Sequence, residues 1–322
     1  MSQSRDCDNR ELRHVRLSYD RWYGIDGDFR REKYIFPIDE EEKNRLDIFH
    51  KFFLVARDNN LFSAPLDIKQ ALRVLDLGTG TGIWAIELSE KYPHMIVQGL
   101  DFNMIQPEMI PPTMNPPQSF DIEDSWDTID RDWDFIRAQM LFGSIQCWRE
   151  MYQKMFMHLK PGIGYMEQVE IDWIPRCDDG TLPTDSALDE WTSKLLKSLD
   201  RHGRSMRVDP EETRRQLALA GFTDIDETVI KVCYCPWSED RHEREVGRWF
   251  NIGLSQGLTA LSCLPMTRML GVSQKDVKDL CLKAKRDMCD LRYHAYCRVY
   301  IWTARKPDLV PSTVVAAQAD VN

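Results

Sequence analysis

Residues 71–101, ALRVLDLGTGTGIWAIELSEKYPHMIVQGLD, restrict the fold more than any other stretch of the chain. Residues 73–77 are a short apolar run with β-type residues. Gly78, Gly80 and Gly82 then alternate with Thr79 and Thr81, and a helical pattern over 83–92 closes at Pro93. A second apolar run over 95–100 ends on Asp101. The order predicts strand, glycine turn, helix and strand, the βαβ unit that opens a nucleotide-binding parallel sheet.

The residue types suit a nucleoside ligand. Glycines let the backbone turn sharply and approach a ligand with no Cβ between, and the helix start that follows offers unpaired N–H groups. Asp101, nineteen positions after Gly82, ends the second strand, where a carboxylate accepts from both ribose hydroxyls, with Phe102 beside it. The spacing is GxGxG, not GxGxxG, and Asp76 stands two positions before Gly78. A pyrophosphate is poorly served by that carboxylate, whereas the ammonium of a methionine moiety can be held near it, directly or through water. The expected cofactor is S-adenosyl-L-methionine, bound by Asp76, Gly78, Thr79, Gly80, Gly82, Asp101 and Phe102. The competing readings are an ordinary tight βα turn and a nicotinamide dehydrogenase, whose third glycine would be misplaced here.

Composition bounds the rest. With 322 residues, 43% hydrophobic and 29% charged, the chain is long enough for one large domain with a real core. A net charge of −10 argues against attraction to a nucleic-acid backbone. No apolar run is long enough to span a bilayer, and the N-terminal MSQSRDCDNRELRH is too polar for a signal peptide, so the protein is expected inside the cell. The nine cysteines, including the Cys233–Cys235 CxC pair and Cys281 with Cys289, have no metal-site spacing and read as reduced thiols; no metal is expected.

In chain order, residues 1–60 read as an N-terminal arm and helix that cover the cofactor site. The aromatics Tyr19, Trp22, Tyr23, Phe29, Tyr34 and Phe36 anchor the arm either over that site or simply to the domain surface. Asp39 with Glu42 resembles a capping box, and Leu46, Phe49, Phe53 and Leu54 share one face of the helix that follows, with His50 adjacent. Residues 61–310 form the cofactor domain. Five prolines between Pro107 and Pro117 rule out a regular helix after the second strand. A third strand is expected over 119–122, where Asp121 would accept from the adenine amine and Ile122 pack on the ring; the bland reading is a solvated acidic loop. Further strands are expected over 133–141, whose end offers Arg137 and Gln139 by position, and over 164–173, 222–234 and 294–307. Helices are expected over 147–159, 185–200 and 210–220. Residues 238–291 read as a helical insertion before the last strand, broken near Leu264, Pro265 and Gly271, forming a lid or a partner-binding surface. Residues 311–322 read as a flexible tail. Together these give an α/β class: a seven-stranded, mostly parallel, Rossmann-like sheet with helices on both faces.

Several stretches then carry a specific resemblance: YIFPIDEEEKNRLDIFHKFF, DLGTGTGIWAIELSEKYP, HLKPGIGYMEQVEID, PRCDDGTLPTDS, GRWFNIGLSQGLTAL and HAYCRVYIWTARKP. Over roughly 19–307 the chain resembles the LaeA family of fungal methyltransferase-like proteins. The resemblance implies a class I methyltransferase fold, S-adenosylmethionine dependence, and regulation of fungal secondary metabolism and development from the nucleus, with velvet-family proteins as partners. Asp76, Gly78, Gly80, Gly82 and Asp101 match the family's cofactor motif. Two alternatives stay open, a cluster-specific tailoring enzyme acting on a small secondary metabolite and a mainly non-catalytic velvet-binding subunit; for location the alternative to the nucleus is the cytoplasm. The methyl acceptor and the general base are unassigned; Glu167, Glu170 and the histidines at 14, 50, 158, 202, 242 and 294 are the candidates. No DPPY-type tetrapeptide supports methylation of an amino group on a base or on glutamine.

Overall fold

Short apolar runs alternate with amphipathic segments along the chain, and a computed structural model, which describes residues 15–24 and 33–308, assembles them around one sheet. Cys7, His14, Phe29 and the tail over 311–322 lie outside the described residues. A hairpin of β1 (Val15–Ser18) and β2 (Arg21–Gly24) precedes helix α1 (Glu40–Ala56). Then follow β3 (Arg73–Leu77), α2 (Ile83–Lys91), β4 (Ile96–Asp101), β5 (Gln118–Ser119), β6 (Phe135–Gln139), α3 (Trp148–His158) and β7 (Tyr165–Arg176). The chain ends with α4 (Ala187–His202), α5 (Pro210–Ala220), β8 (Thr223–Cys233), α6 (Arg241–Leu270), α7 (Gln274–Cys289) and β9 (Tyr296–Arg305).

The seven strands of the main sheet lie in the order β5-β4-β3-β6-β7-β9-β8. Pairing is parallel from β5 through β7, and β9 inserts antiparallel between β7 and β8. The chain therefore leaves β3 towards β4 on one side and later towards β6 on the other, opening a crevice beyond the carboxyl ends of these strands. Period-two alternation covers both faces. Val74 packs with Trp84, Leu88 and Val97, while its neighbour Leu75 packs with Ile136, Tyr152 and Trp302 on the other face. Among the described residues, no helix is long and apolar enough to cross a membrane.

Three expectations need correction. The strand expected over 119–122 is only the two-residue β5, paired with Leu100 and Asp101. Asp121 instead starts a turn, its carboxylate taking the Glu123 amide at 2.9 Å and its carbonyl the Asp124 amide at 2.9 Å. The break expected at Pro265 is absent, for α6 runs 30 residues through it and stops at Gly271. An interior proline costs a helix about 3 kcal/mol or more. Packing offsets that cost here, because Ser262 through Met266 are all buried.

The third correction concerns the insertion itself. Residues of α6 do not form a detachable lid: Val246, Phe250, Leu254, Leu258 and Leu261 enter the same core as Phe49, Phe52 and Phe53 of α1 and Trp173 of β7. Close approach explains a glycine on this helix. A Cβ at Gly257 would stand 2.8 Å from Cδ of Arg45, so the backbones of α1 and α6 can come together only without it.

Candidate functional site

A cleft of about 1070 Å³, counting its open mouth, lies at the carboxyl ends of β3, β4 and β6. Gly78 and Gly80 line it from the loop after β3. Their φ values, +62° and +59°, are in the left-handed region that glycine enters without strain. A Cβ at Gly78 would also lie 2.5 Å from Leu141 Cδ2, so this turn is closed to larger residues.

Asp101 faces the loop from the end of β4. Its Oδ2 accepts from the Gly80 amide at 2.8 Å and its Oδ1 from the Asn103 amide at 2.8 Å. Burial pushes this carboxyl up to about 6, and the two amides hold it down. Each oxygen retains a lone pair for a ligand hydroxyl. Phe102 and Ile122 line the same end of the cleft, as does Asp121, which is paired with Lys33. Asp121 is therefore a residue of the cleft wall whose carboxylate is already engaged by a cation and by the Glu123 amide.

Asp76, Thr79 and Gly82 are placed differently. Asp76 stands opposite Arg137 in the β3–β6 ladder and is fully buried. Its Oδ1 takes Arg137 Nη1 at 2.7 Å, its Oδ2 takes the Thr79 hydroxyl at 2.7 Å, and it does not line the cleft. The register puts both side chains on one face of the sheet, so the acid fixes the loop from beneath instead of presenting a free carboxylate to an ammonium group. Thr79 is the intermediary, and Gly82 caps α2 with its amide on the Thr79 carbonyl at 2.9 Å. Arg137 lies over the Trp84 ring at 4.1 Å, away from the cleft, whereas Gln139 lines it.

The N-terminal segment closes one side. Lys33, Tyr34, Phe36 and Ile38 line the cleft, and the hairpin clamps this strap through paired bonds of 2.6 Å from Arg21 to Asp39. Asp39 also caps α1 by accepting from the Glu42 amide at 3.0 Å. Leu46, expected on the core face of α1, instead lines the cleft beside Arg45. Helix α1 is docked on the glycine loop by a 2.7 Å bond from the Thr81 hydroxyl to Asp47.

The opposite wall is Met140, Leu141, Phe142, Ile145, Met206 and Leu261. Met140 adopts φ 55°, a position uncommon for a residue with a side chain and one that turns the chain sharply after β6. Nothing in the sequence marks Met206 or Leu261 as neighbours of the loop, since they come from a connection after α4 and from mid-α6. Of the base candidates among the described residues, none lines the cleft. Glu167 is buried beneath Arg57 at 2.8 Å, Glu170 accepts from the Leu141 and Phe142 amides at 3.1 and 3.2 Å, and His50 pairs with Glu87 at 2.6 Å. His158 contacts the Lys154 and Trp126 carbonyls, His242 the Asp58 carboxylate and His294 the Asp179 carboxylate.

Comparison with known proteins agrees with this architecture. A methyltransferase domain family matches residues 41–227. The secondary metabolism regulator laeA of Fusarium oxysporum f. sp. lycopersici is 49% identical over 306 residues, 94% of this chain and 95% of that one. LAE1 of Gibberella fujikuroi, named likewise, is 49% identical over the same shares. Regulator laeA of Aspergillus fumigatus is 39% identical over 280 residues, 87% of this chain and 74% of that one. The chain belongs to the methyltransferase-domain family and, within it, to the fungal family of LaeA and LAE1 secondary metabolism regulators.

Proposed function

We propose that the protein is an S-adenosyl-L-methionine-dependent methyltransferase that regulates fungal secondary metabolism. The observation that carries the reading is the half-buried Asp101 carboxylate standing against the glycine loop at the mouth of the sheet's crevice. The bound cofactor supplies an activated methyl group on a sulfonium. Asp101 accepts the ribose hydroxyls, Phe102 and Ile122 flank the base, and Gly78 and Gly80 admit the chain of the nucleoside close to the backbone. The strap from Lys33 to Ile38 and the Met140–Phe142 wall exclude water and orient the acceptor, which is where most of the rate of an in-line displacement can arise.

The regulatory role extends to action in the nucleus beside velvet-family proteins. The names of the relatives support regulation of secondary metabolism, the nuclear and velvet setting rests on the resemblance of the sequence alone, and the methyl acceptor is either a polypeptide or a small metabolite. Purified protein is expected to bind S-adenosylmethionine at micromolar concentration by calorimetry, and Gly78→Ala to weaken binding at least tenfold by the strain and crowding at that turn. Incubating a cell extract with methyl-labelled cofactor, with and without the protein, then separates the acceptors: label on a polypeptide supports the regulator, and label on a metabolite a tailoring enzyme. Failure of the wild-type protein to bind the cofactor sinks the proposal.

A further inference from the structure

Arg45 carries a donor edge that none of the described residues uses. Its side chain is 4% exposed and pairs side-on with Glu42, Nε to Oε2 at 3.0 Å and Nη2 to Oε1 at 2.6 Å. Nη1 is buried and has no hydrogen-bond partner among the described residues. Side-on pairing leaves the end of the guanidinium, Nη1 with the outer hydrogen of Nη2, available for a second planar anion. A buried arginine edge left in this state has lost its water without a replacement, which native proteins tolerate mainly where something else completes it.

The place of this edge says what would complete it. Arg45 lines the cleft, and its neighbour Leu46 reaches the glycine loop, with Cδ1 3.7 Å from where a Gly80 Cβ would stand. Gly80 is also bonded to Asp101 at 2.8 Å, so the choice between the two ends of the proposed cofactor is made by charge. The cofactor carries one anionic group, the α-carboxylate of its amino-acid end. The other cation of the cleft wall, Lys33, is already engaged by Asp121 and lies 3.6 Å from Asp124. Asp76 cannot supply the anchor, being an anion closed off by Arg137 and Thr79.

We infer that Arg45 holds the α-carboxylate of the cofactor's methionine moiety on the free end of its guanidinium. The inference rests on the S-adenosylmethionine reading and adds a binding residue outside the glycine motif. Glu42 orients Arg45.

The test uses the full chain and two cofactors that differ only in the carboxylate, S-adenosylmethionine and its decarboxylated form, with dissociation constants measured by calorimetry. The wild-type protein should prefer the carboxylate form. Arg45→Met leaves Glu42 buried opposite an apolar residue, so Glu42→Gln/Arg45→Met is measured beside it, together with the melting temperature of each. In the variants, S-adenosylmethionine should bind roughly 30-fold more weakly or worse, as expected for truncating one side of a buried charged pair, with binding of the decarboxylated form unchanged. A preference that survives in a folded variant, or an equal loss for both cofactors, overturns the inference while leaving the proposed function standing. If the wild-type protein binds neither form, the cofactor reading itself falls, and this inference with it.

Discussion

Asp101 and Asp76 are both acids at the ends of neighbouring strands, but their surroundings give them different work. Asp101 is half-exposed to the cleft, takes two backbone amides and has its carboxyl pushed up to about 6 by burial. Only the ionised form offers acceptors on both oxygens, so a proton competes with the ribose hydroxyls. Cofactor affinity is therefore expected to be level above about pH 6 and to fall towards tenfold per unit below it, and Asp101→Asn should bind weakly with no such slope. Calorimetric titrations between pH 5 and pH 8 check this; a wild-type affinity that stays flat across that range would remove Asp101 from ligand contact. Asp76 is fully buried against Arg137, and its influence reaches the cleft only through Thr79.

At the scale of the element, α6 determines how α1 sits. Helix α1 carries Arg45 and Leu46 to the cleft and Asp47 to the loop, while its aromatic face, Phe49, Phe52 and Phe53, packs with Phe250 of α6. The two helices meet where Gly253 faces Phe49 and Gly257 faces Arg45, and a Cβ on either glycine would stand only 2.8 Å from the facing side chain. Gly257→Leu should push α1 off the loop, costing about 1–3 kcal/mol in stability as an overpacked core does. Denaturant unfolding measures that loss, and cofactor affinity should drop in the same variant. Leu282→Ala, at an exposed position of α7, should change neither. Removing residues 238–291 to test partner docking would instead take away more than a third of the buried residues of this core.

Across the whole molecule, the sheet couples the cleft to its far side through Glu170 on β7. This fully buried carboxyl accepts from the Leu141 and Phe142 amides, holding the turn after β6, and burial pushes it up to about 8. Unfolding returns it to an ordinary value near 4.5. Between those pH values the folded chain binds a proton that the unfolded chain does not. Its contribution is thus present below about pH 4.5 and is lost as the pH rises through about 8, at a slope on the order of 1.4 kcal/mol per pH unit at most. Glu170→Gln keeps an acceptor for both amides and removes the titration. Its unfolding free energy should decline less than that of the wild-type protein between pH 5 and pH 8, and equal slopes in the two proteins would refute the role.

The local pattern of residues 71–101 determined the βαβ unit, because a β-type run, alternating glycines and a helical period leave few other ways to bury the apolar positions. Period and caps likewise placed α1, α3, α5 and the long strands β7 and β9 to within a few residues. Tertiary structure alone decided the rest. Pro265 stays helical because the core around it outweighs a local preference, and β5 shrinks to two residues because Asp121 starts a turn. Asp76 turns away from the cleft because ladder register sets it beside Arg137, and register is a relation between strands that neither strand encodes alone. Arg45, Met206 and Leu261 join the glycine loop from three distant parts of the chain, brought there by helix packing, a property of surfaces meeting in space that spacing along a sequence does not carry.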